Sequence, residues 1–370
     1  MINTPKRILI YRLGSLGDTV IALPVFNKIR MQFPDAEITL LTNKPVVDKA
    51  APLQSILGDG FFFNRIINYP VGTRQLSVLL KLILQIRDLH IDTVFYLAGV
   101  RTFNSTVKTK LVAYRDKLFF KAAGAKSIIG FPAVKEDFEL CIDPVTGDME
   151  WEAKRLARRF EVLGPIILND NDYWDLHLTS AEEADATSAL NSIDPLKPIV
   201  AVSAGTKNQA NDWEEDNWLQ LIGRLNSMLA GWQLILIGGG DEKERADKCM
   251  ALWNGNAVNL CGQTSPRVSG AVLKKANFFI GHDSGPMHLA AGVGTACVAI
   301  FSAKNIPRQW FPRGEKNKVI YHKTDCAGCA LDVCIAQKKK CILSITVNEV
   351  VAAVAEVLKA LEDESNTICI

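Results

Sequence analysis

With 370 residues, the chain is long for one domain and comfortable for two. Hydrophobic residues make up 48% and charged residues 22%, as in soluble globular proteins, and a net charge of +2 is too small to favour bulk binding of nucleic acid. No apolar run reaches the ~20 residues of a membrane-spanning helix, and the N-terminus lacks a signal peptide's apolar core and cleavage site. Nine mostly scattered cysteines complete the pattern of a cytoplasmic protein with reduced thiols.

The chain begins with a strand, a glycine-containing loop and a helix. An apolar strand is predicted over 7–12, a loop over 13–18, a helix that runs to about Phe33, and a second strand over 37–42. This order is typical of the start of a doubly wound α/β domain. The loop lacks GxGxxG and no acidic residue closes the next strand, so a dinucleotide fingerprint is excluded. Asp18 follows the first strand, where such sheets bind ligands, although it could equally cap the helix.

The rest of the first half continues the alternation of helices and strands. Helices are predicted over 76–89, 106–126 and 150–163, and strands over 93–97 and 127–131. The helix over 106–126 is basic, with aromatic and leucine residues between its lysines. Such a helix can lie on a membrane surface. The composition favours the alternative of a solvated helix that packs through one apolar stripe.

A polar helix over 180–190 and the turn DPLKP over 194–198 mark a change of character, and we place the domain boundary there. The predicted domains are therefore 1–190 and 191–370. The second contains a helix from Trp213 to about Met228. Its strands are predicted over 199–203, 233–237, 256–261, 278–280 and 296–301. With no hairpin signal, these form a second parallel, doubly wound sheet. Two facing domains of this kind would form a cleft lined by strand ends and helix N-termini.

The stretch 277–301, NFFIGHDSGPMHLAAGVGTACVAIF, contains the most informative turn. An apolar strand leads into the polar turn GHDSG, and a helix of small residues follows from about Pro286 to Gly292. Asp283 or Ser284 can cap that helix. A helix N-terminus after a tight glycine turn presents unpaired N–H groups and can bind an anion. The pattern is also that of an ordinary strand–helix–strand crossover with a well-capped helix.

Three segments carry a resemblance to a known family. They read RLGSLGDTVIALPVFNKIRMQFPDAEI near the N-terminus, AGTKNQANDW after the boundary, and GHDSGPMHLAAGVGTACVAIF. Together they resemble glycosyltransferase family 9, the ADP-heptose-dependent heptosyltransferases of bacteria, over about 7–357. The motifs R-L-G-x-L-G-D and D-[ST]-G-P-x-H-L-A-A are specific in combination. The resemblance implies the GT-B fold, in which two Rossmann-like domains face each other.

The resemblance also implies roles for residues at matched positions. Asp18 falls on the family's general base. The other implied positions are the acceptor-side loop residues Gly14, Ser15 and Gly17, and the donor-binding residues Thr206, Lys207, Asp283, Ser284, Gly285 and His288. Many relatives carry a lysine just before the position of Trp213, where this chain has Asn211 and Asp212. Lys207 or Arg308 could supply that charge.

The chemistry fits an inverting, metal-independent transfer. One carboxylate can deprotonate the acceptor hydroxyl, and helix-terminal amides with a cation can stabilise the leaving diphosphate. We expect transfer of a heptose or similar sugar, with ADP-heptose as donor, to a lipid-linked saccharide of lipopolysaccharide or another surface polysaccharide. No cofactor is required, nucleic acid is not a partner, and peripheral contact with the inner membrane is compatible with a cytoplasmic location. The alternatives are a protein acceptor, a non-catalytic sugar-nucleotide-binding protein, and a phosphorylase or epimerase on a similar scaffold.

Four cysteines near the C-terminus have the spacing C-x2-C-x4-C-x6-C: Cys326, Cys329, Cys334 and Cys341. Four thiolates at close range could form a tetrahedral zinc or iron site. Related protein-modifying heptosyltransferases use a cysteine-bound iron. The alternative is a set of reduced structural thiols, since no second CxxC completes the stronger zinc pattern.

Overall fold

The computed structural model describes residues 5–44, 51–70, 75–98, 106–138 and 142–368. The chain divides into two compact units, Met1–His177 and Leu178–Ile370. Among the described helices, none combines the length and apolar character that crossing a membrane would require.

The division falls 13 residues before the boundary at 190 that the sequence suggested. The intervening helix α8 (Ser180–Ala189) packs against the later helix α11 (Pro266–Leu273) of the second unit. Arg267, almost fully buried, also donates through Nη2 to Oε2 of Glu182 at 2.9 Å. Sequence reasoning separated α8 from the second unit because its polar surface resembles a linker, whereas its partner lies far along the chain.

The first unit is built on a parallel sheet. Its strands are Arg7–Tyr11 (β1), Glu37–Lys44 (β2), Arg65–Pro70 (β3), Thr93–Tyr96 (β4) and Ser127–Ile129 (β5). Within the described residues the order is β3-β2-β1-β4-β5. Ile8 of β1 pairs with Ile38 of β2 on one side and with Thr93 of β4 on the other. Strands covered on both faces are largely apolar, as β1 and β4 are after their first residues.

Helices connect these strands. They are Leu16–Ile21 (α1), Leu23–Gln32 (α2), Leu53–Leu57 (α3), Leu76–Asp88 (α4), Thr106–Ala122 (α5), Lys135–Phe138 (α6) and Glu152–Arg158 (α7). The single helix predicted up to Phe33 is in fact two, which meet at Ala22. Pro24 lies in the first turn of α2, because a proline has no N–H to continue the preceding helix.

The second unit repeats the architecture. Its strands are Ile199–Ser203 (β6), Gln233–Leu236 (β7), Ala257–Asn259 (β8), Phe278–His282 (β9), Ala296–Phe301 (β10) and Lys318–Tyr321 (β11). The described strands pair in parallel in the order β11-β10-β9-β6-β7-β8. The prediction of two doubly wound parallel sheets is thereby confirmed.

The helices of this unit cover the sheet. Besides α8 and α11, they are Glu215–Met228 (α9), Lys243–Met250 (α10), Gly285–Gly292 (α12), Lys340–Leu343 (α13) and Val347–Ile368 (α14). Trp213 and Trp218 are fully buried in the core beside Phe278 and Ile280 of β9. The long helix α14, which sequence analysis did not identify, packs against α9, β10 and β11.

Candidate functional site

Each sheet reverses its winding direction at one point, and the predicted site residues follow these points. In the first sheet the chain winds from β1 to β3 and returns to place β4 beside β1; in the second it winds from β6 to β8 and returns to place β9 beside β6. Open α/β sheets bind ligands beyond the carboxyl ends of the strands at such a switch point. The loop with Asp18 follows β1, and the loops with Thr206 and Asp283 follow β6 and β9.

Asp18 is half-buried in the first turn of α1, and its carboxylate is held by the residue that begins the helix. The backbone N–H of Ser15 donates to Oδ2 of Asp18 at 2.8 Å, and the Ser15 hydroxyl donates to the same oxygen at 2.7 Å. This is the Asp18 half of a capping box, which satisfies the N-cap amide. The capping role that the sequence left open is therefore present, and it also fixes the direction of the carboxylate.

Two neighbouring residues explain why the motif reads R-L-G-x-L-G-D. A Cβ atom at Gly14 would lie 2.6 Å from Cβ of Asp18, so only glycine allows the aspartate to fold over this turn. Arg12 is buried, and its guanidinium donates to the carbonyl of Leu97 at 2.7 Å and to the carbonyl of Asp18. Arg12 therefore ties the loop after β1 to the end of β4. Gly17 is buried within α1.

In the second unit, the Asp283 side chain supports the turn between β9 and α12. Its Oδ2 accepts from the Asn305 amide at 3.1 Å, and its Oδ1 lies 3.6 Å from Nε2 of buried His288. The Asp283 carbonyl accepts from the Asn211 amide at 3.1 Å, and Asn211 in turn accepts from the hydroxyl of Ser302. These contacts give the Asp283 side chain a supporting role in the turn.

Two serine hydroxyls lie buried at the same point with no hydrogen-bond partner among the described residues. Ser284 is the N-cap of α12, and its Oγ has almost no exposed surface. Ser203 ends the adjacent strand β6, opposite Gly281 of β9, and its Oγ is equally buried. Buried polar groups nearly always have a partner, so these two hydroxyls are exceptions at the ends of β6 and β9. The N–H groups of the first helical turn also have no partner within the helix.

His282 holds these loops together, and the sequence analysis missed it. The side chain is fully buried; Nδ1 donates to the Gly205 carbonyl and Nε2 accepts from the Trp213 N–H, both at 3.1 Å. Burial lowers the pKa of His282 to about 4, so the ring is neutral at pH 7. The sequence pattern predicts that His282 belongs to the turn GHDSG, but β9 continues through it. The alternation Phe278, Ile280, His282 was the available signal, since alternate strand residues share a face.

Charged side chains surround Asn211 and Asp212, where the family resemblance leads us to expect a lysine. Nη1 of Arg245 lies 2.8 Å from Oδ1 of Asp212 and donates to the Ala204 carbonyl at 3.0 Å. Burial alone would raise the pKa of Asp212, but Arg245 outweighs it and holds that pKa below its ordinary value. Buried Lys339 donates to the Asp212 carbonyl at 2.9 Å and pairs with Glu214.

Thr206 and the two candidate cations outside the turn differ in exposure. Thr206 is half-buried, whereas Lys207 and Arg308 are exposed. Sequence reasoning offered Lys207 or Arg308 as the cation that replaces the expected lysine. It did not identify Arg245 or Lys339, which reach this region from α10 and from the segment before α13.

The four cysteines line one small cavity together with Ala210, Ala303, Lys304, Gln337 and Lys340. Among the described residues, however, no three Cys, His, Asp or Glu side chains are arranged to hold a metal ion. The cysteine segment also contacts loops that follow two strands of the second sheet. The Gly328 N–H donates to the Ala303 carbonyl at 2.8 Å, and the Cys334 N–H donates to the Gln209 side chain at 2.8 Å. The cysteine segment therefore connects the loops that follow β6 and β10.

Comparison with known proteins agrees with these features. A family model, Glycosyltransferase family 9 (heptosyltransferase), matches residues 118–340. The chain is 23% identical over 304 residues to lipopolysaccharide heptosyltransferase 3 of Escherichia coli, covering 78% of this chain and 80% of that protein.

Two solved structures share the fold. A glycosyl transferase family 9 protein of Veillonella parvula superposes with a TM-score of 0.69 at 17% identity, covering 96% of this chain and 98% of that one. The E. coli heptosyltransferase WaaC with ADP-2-deoxy-2-fluoro heptose gives 0.60 at 17% identity, covering 95% and 99%. Since the family model covers more than half of the chain, the protein belongs to glycosyltransferase family 9 (heptosyltransferase) and is a glycosyltransferase.

Proposed function

We propose that this protein transfers a heptose, or a similar sugar, from ADP-heptose to a saccharide of lipopolysaccharide or another surface polysaccharide. Family membership supports sugar transfer. The E. coli relative named a lipopolysaccharide heptosyltransferase and the structure of WaaC with an ADP-heptose analogue support this acceptor and this donor. In this proposal the first unit binds the acceptor and the second binds the donor.

The N-terminus of α12 carries the donor assignment, because it follows β9 at the switch point and its first residues, Gly285 and Pro286, are half-exposed. A diphosphate oxygen placed there would accept from backbone N–H groups of the first helical turn, including that of Gly285. The positive end of the helix dipole would favour its charge. The contacts of Asp283 with Asn305 and of His282 with Trp213 and Gly205 hold the surrounding loops before the donor arrives. Preorganised donors of this kind stabilise the charge that develops on a leaving diphosphate.

Asp18 is proposed as the general base. Its carboxylate takes the proton of the acceptor hydroxyl as that oxygen attacks the anomeric carbon, and the bond from that carbon to the ADP oxygen breaks. A single displacement from the opposite face inverts the anomeric configuration. Backbone amides and a cation, with Lys207 among the candidates, stabilise ADP, so the step requires neither a metal nor a cofactor.

A structural zinc or iron at the four-cysteine cavity is a separate proposal. The convergence of all four cysteines on one cavity supports it. The thiols would have to move closer together to coordinate one ion, because the described side chains do not form a ligand set.

The proposed function is tested by measuring ADP release from ADP-heptose in the presence of deacylated lipopolysaccharide core. We expect release that depends on the acceptor and a sugar–acceptor product of increased mass with inverted anomeric configuration. UDP- and GDP-sugars are the control donors. Turnover with one of these alone would reassign the donor, turnover with a protein acceptor alone would support the protein-modifying alternative, and ADP binding without turnover on any acceptor would support a non-catalytic role.

A further inference from the structure

Helix α5 has a second apolar stripe on the side that faces away from the core. Its buried residues include Ala113 and Phe120, which pack beside the sheet. The outward stripe consists of Val107, Leu111, Tyr114 and Leu118. At 3.6 residues per turn, their spacing of four, three and four residues places them on one line, about opposite the core-facing residues.

Helix α4 adds a parallel stripe on the same face of the sheet. Leu82 and Ile86 are buried in the same core cluster as Phe120 of α5, so both helices cover one side of the first unit. Its outward residues are Leu76, Leu80 and Leu84. The relative exposure of these leucines and of the α5 stripe lies between 55% and 75%. Single exposed leucines are ordinary, but exposed apolar stripes on two neighbouring helices are typical of an interaction surface.

Basic residues border this apolar surface. On α5 they are Lys108, Lys110, Arg115, Lys117 and Lys121, all of them exposed. Because an α-helix turns by about 100° per residue, these side chains lie on both flanks of the outward stripe. The acidic residue of α5, Asp116, is buried; it accepts from the Tyr96 hydroxyl at 2.8 Å and pairs with Arg115, whose Nη2 lies 2.7 Å from Oδ1 of Asp116. Arg115 is therefore neutralised, and the positive charge of this surface comes from the four lysines. Lys117 lies over the Phe131 ring at 5.1 Å, along the protein surface.

Apolar side chains flanked on both sides by lysine match the surface of a bilayer that contains anionic lipid. The leucines can enter the boundary between headgroups and acyl chains, while the long basic side chains reach phosphate groups. A second copy of this chain fits poorly, because a symmetric contact through this face would place basic residues opposite basic residues. Sequence reasoning favoured a solvated helix with one apolar stripe; the structure shows that α5 has two.

We propose that the outer face of α4 and α5, formed by the two stripes and their flanking basic residues, docks on anionic phospholipid membranes. This face would hold the enzyme beside a lipid-linked acceptor without a spanning helix. The inference rests on exposure and charge alone, so it can fail or hold independently of the proposed donor, acceptor and base.

The test is co-sedimentation of the full chain with vesicles of phosphatidylcholine, with and without about 30% phosphatidylglycerol. We expect binding to the anionic vesicles at least ~10-fold tighter than to neutral ones, and weaker binding at high salt because charge is screened. Leu111→Ser with Leu118→Ser should weaken binding at least ~10-fold, since each buried leucine contributes roughly a factor of ten or more. Lys110→Glu with Lys117→Glu should have a similar effect.

Leu196→Ser is the matched control, because Leu196 of the second unit is 92% exposed and lies outside this face. It should bind vesicles like the unchanged protein, and all variants should retain their melting temperature and their activity on a deacylated acceptor. Equal binding to neutral and anionic vesicles, or unchanged binding by the double-leucine variant, would overturn the proposal. The proposal would also be overturned if the unchanged protein did not bind vesicles and formed a dimer in solution that the double-leucine variant dissociates. The face would then join two copies of the chain.

Discussion

Replacing Asp18 by asparagine separates the two roles that this side chain can have. An asparagine oxygen can still accept from the Ser15 N–H at 2.8 Å and from the Ser15 hydroxyl at 2.7 Å, so the turn should keep its shape. Exchanging a charged acceptor for a neutral one should cost about 1 kcal/mol, and losing a negative charge in the first helical turn about 0.3–1 kcal/mol more. We therefore expect a folded protein that is less stable by about 1–2 kcal/mol.

The expected effect on the rate is larger. Removing a general base typically reduces the rate by ~10²–10⁴-fold, which corresponds to about 3–5 kcal/mol in the activation barrier. The assay is ADP release at saturating donor and acceptor, with ADP affinity from calorimetry and stability from chemical denaturation. We expect turnover to fall at least ~10²-fold in Asp18→Asn while ADP affinity is unchanged, because donor binding is assigned to the second unit.

Ser15→Ala is the matched control. It removes the hydroxyl donor to Asp18 but keeps both the carboxylate and the backbone N–H donor. It should cost a similar ~0.5–2 kcal/mol of stability, as the loss of a cap residue does, with much less effect on the rate. Turnover of Asp18→Asn within ~3-fold of the unchanged protein, or equal rate losses in the two variants, would refute the catalytic role and leave Asp18 as a cap.

Three further predictions concern the second unit. ADP should raise the melting temperature, and Gly285→Val should abolish that rise because a branched side chain blocks the close approach of ADP to the turn. The control variant Gly223→Val, on an exposed part of α9, should keep the rise in melting temperature. Equal ADP affinity in the two variants would contradict the assignment of the donor site. Since the pKa of His282 is lowered to about 4, its contribution to stability should be complete above about pH 6.5 and decline as the pH falls toward 4. Denaturation at pH 7.5 and 5 should therefore show a smaller loss for His282→Gln than for the unchanged protein, and identical losses would exclude a buried neutral histidine. Elemental analysis of protein purified without a metal-binding tag should find about one equivalent of zinc or iron per chain. A metal content below about a tenth of an equivalent, together with four titratable thiols, would mean that the four-cysteine cavity contains only reduced structural thiols.

The sequence predicted those features that depend on neighbouring residues. The apolar runs of β1, β6 and β10 were identified because buried parallel strands are apolar throughout. The edge strands β3 and β11 were not identified. They are largely half-exposed, so neither a continuous apolar run nor a clear alternation marks them.

Contacts between distant residues could not be predicted. His282 meets the Trp213 backbone 69 residues away, and Arg12 reaches the Leu97 carbonyl 85 residues away. The residue pattern around His282 or Arg12 does not indicate which distant residue each side chain contacts. The motif around Arg12 and Asp18 could be recognised as a family pattern, but the reason for its glycine appears only when the Asp18 side chain is seen against Gly14.

The packing of α8 on α11 determines how the two halves can be exchanged between family members. A chimera that joins the chain at the DPLKP turn would combine α8 of one protein with α11 of another, and it would separate Glu182 from the buried Arg267. An unpaired buried guanidinium is costly, so such hybrids should express poorly. A crossover at His177–Leu178 keeps that pair, and the capping residue Thr179 of α8, within one parent. Donor preference could then be transferred as a complete module.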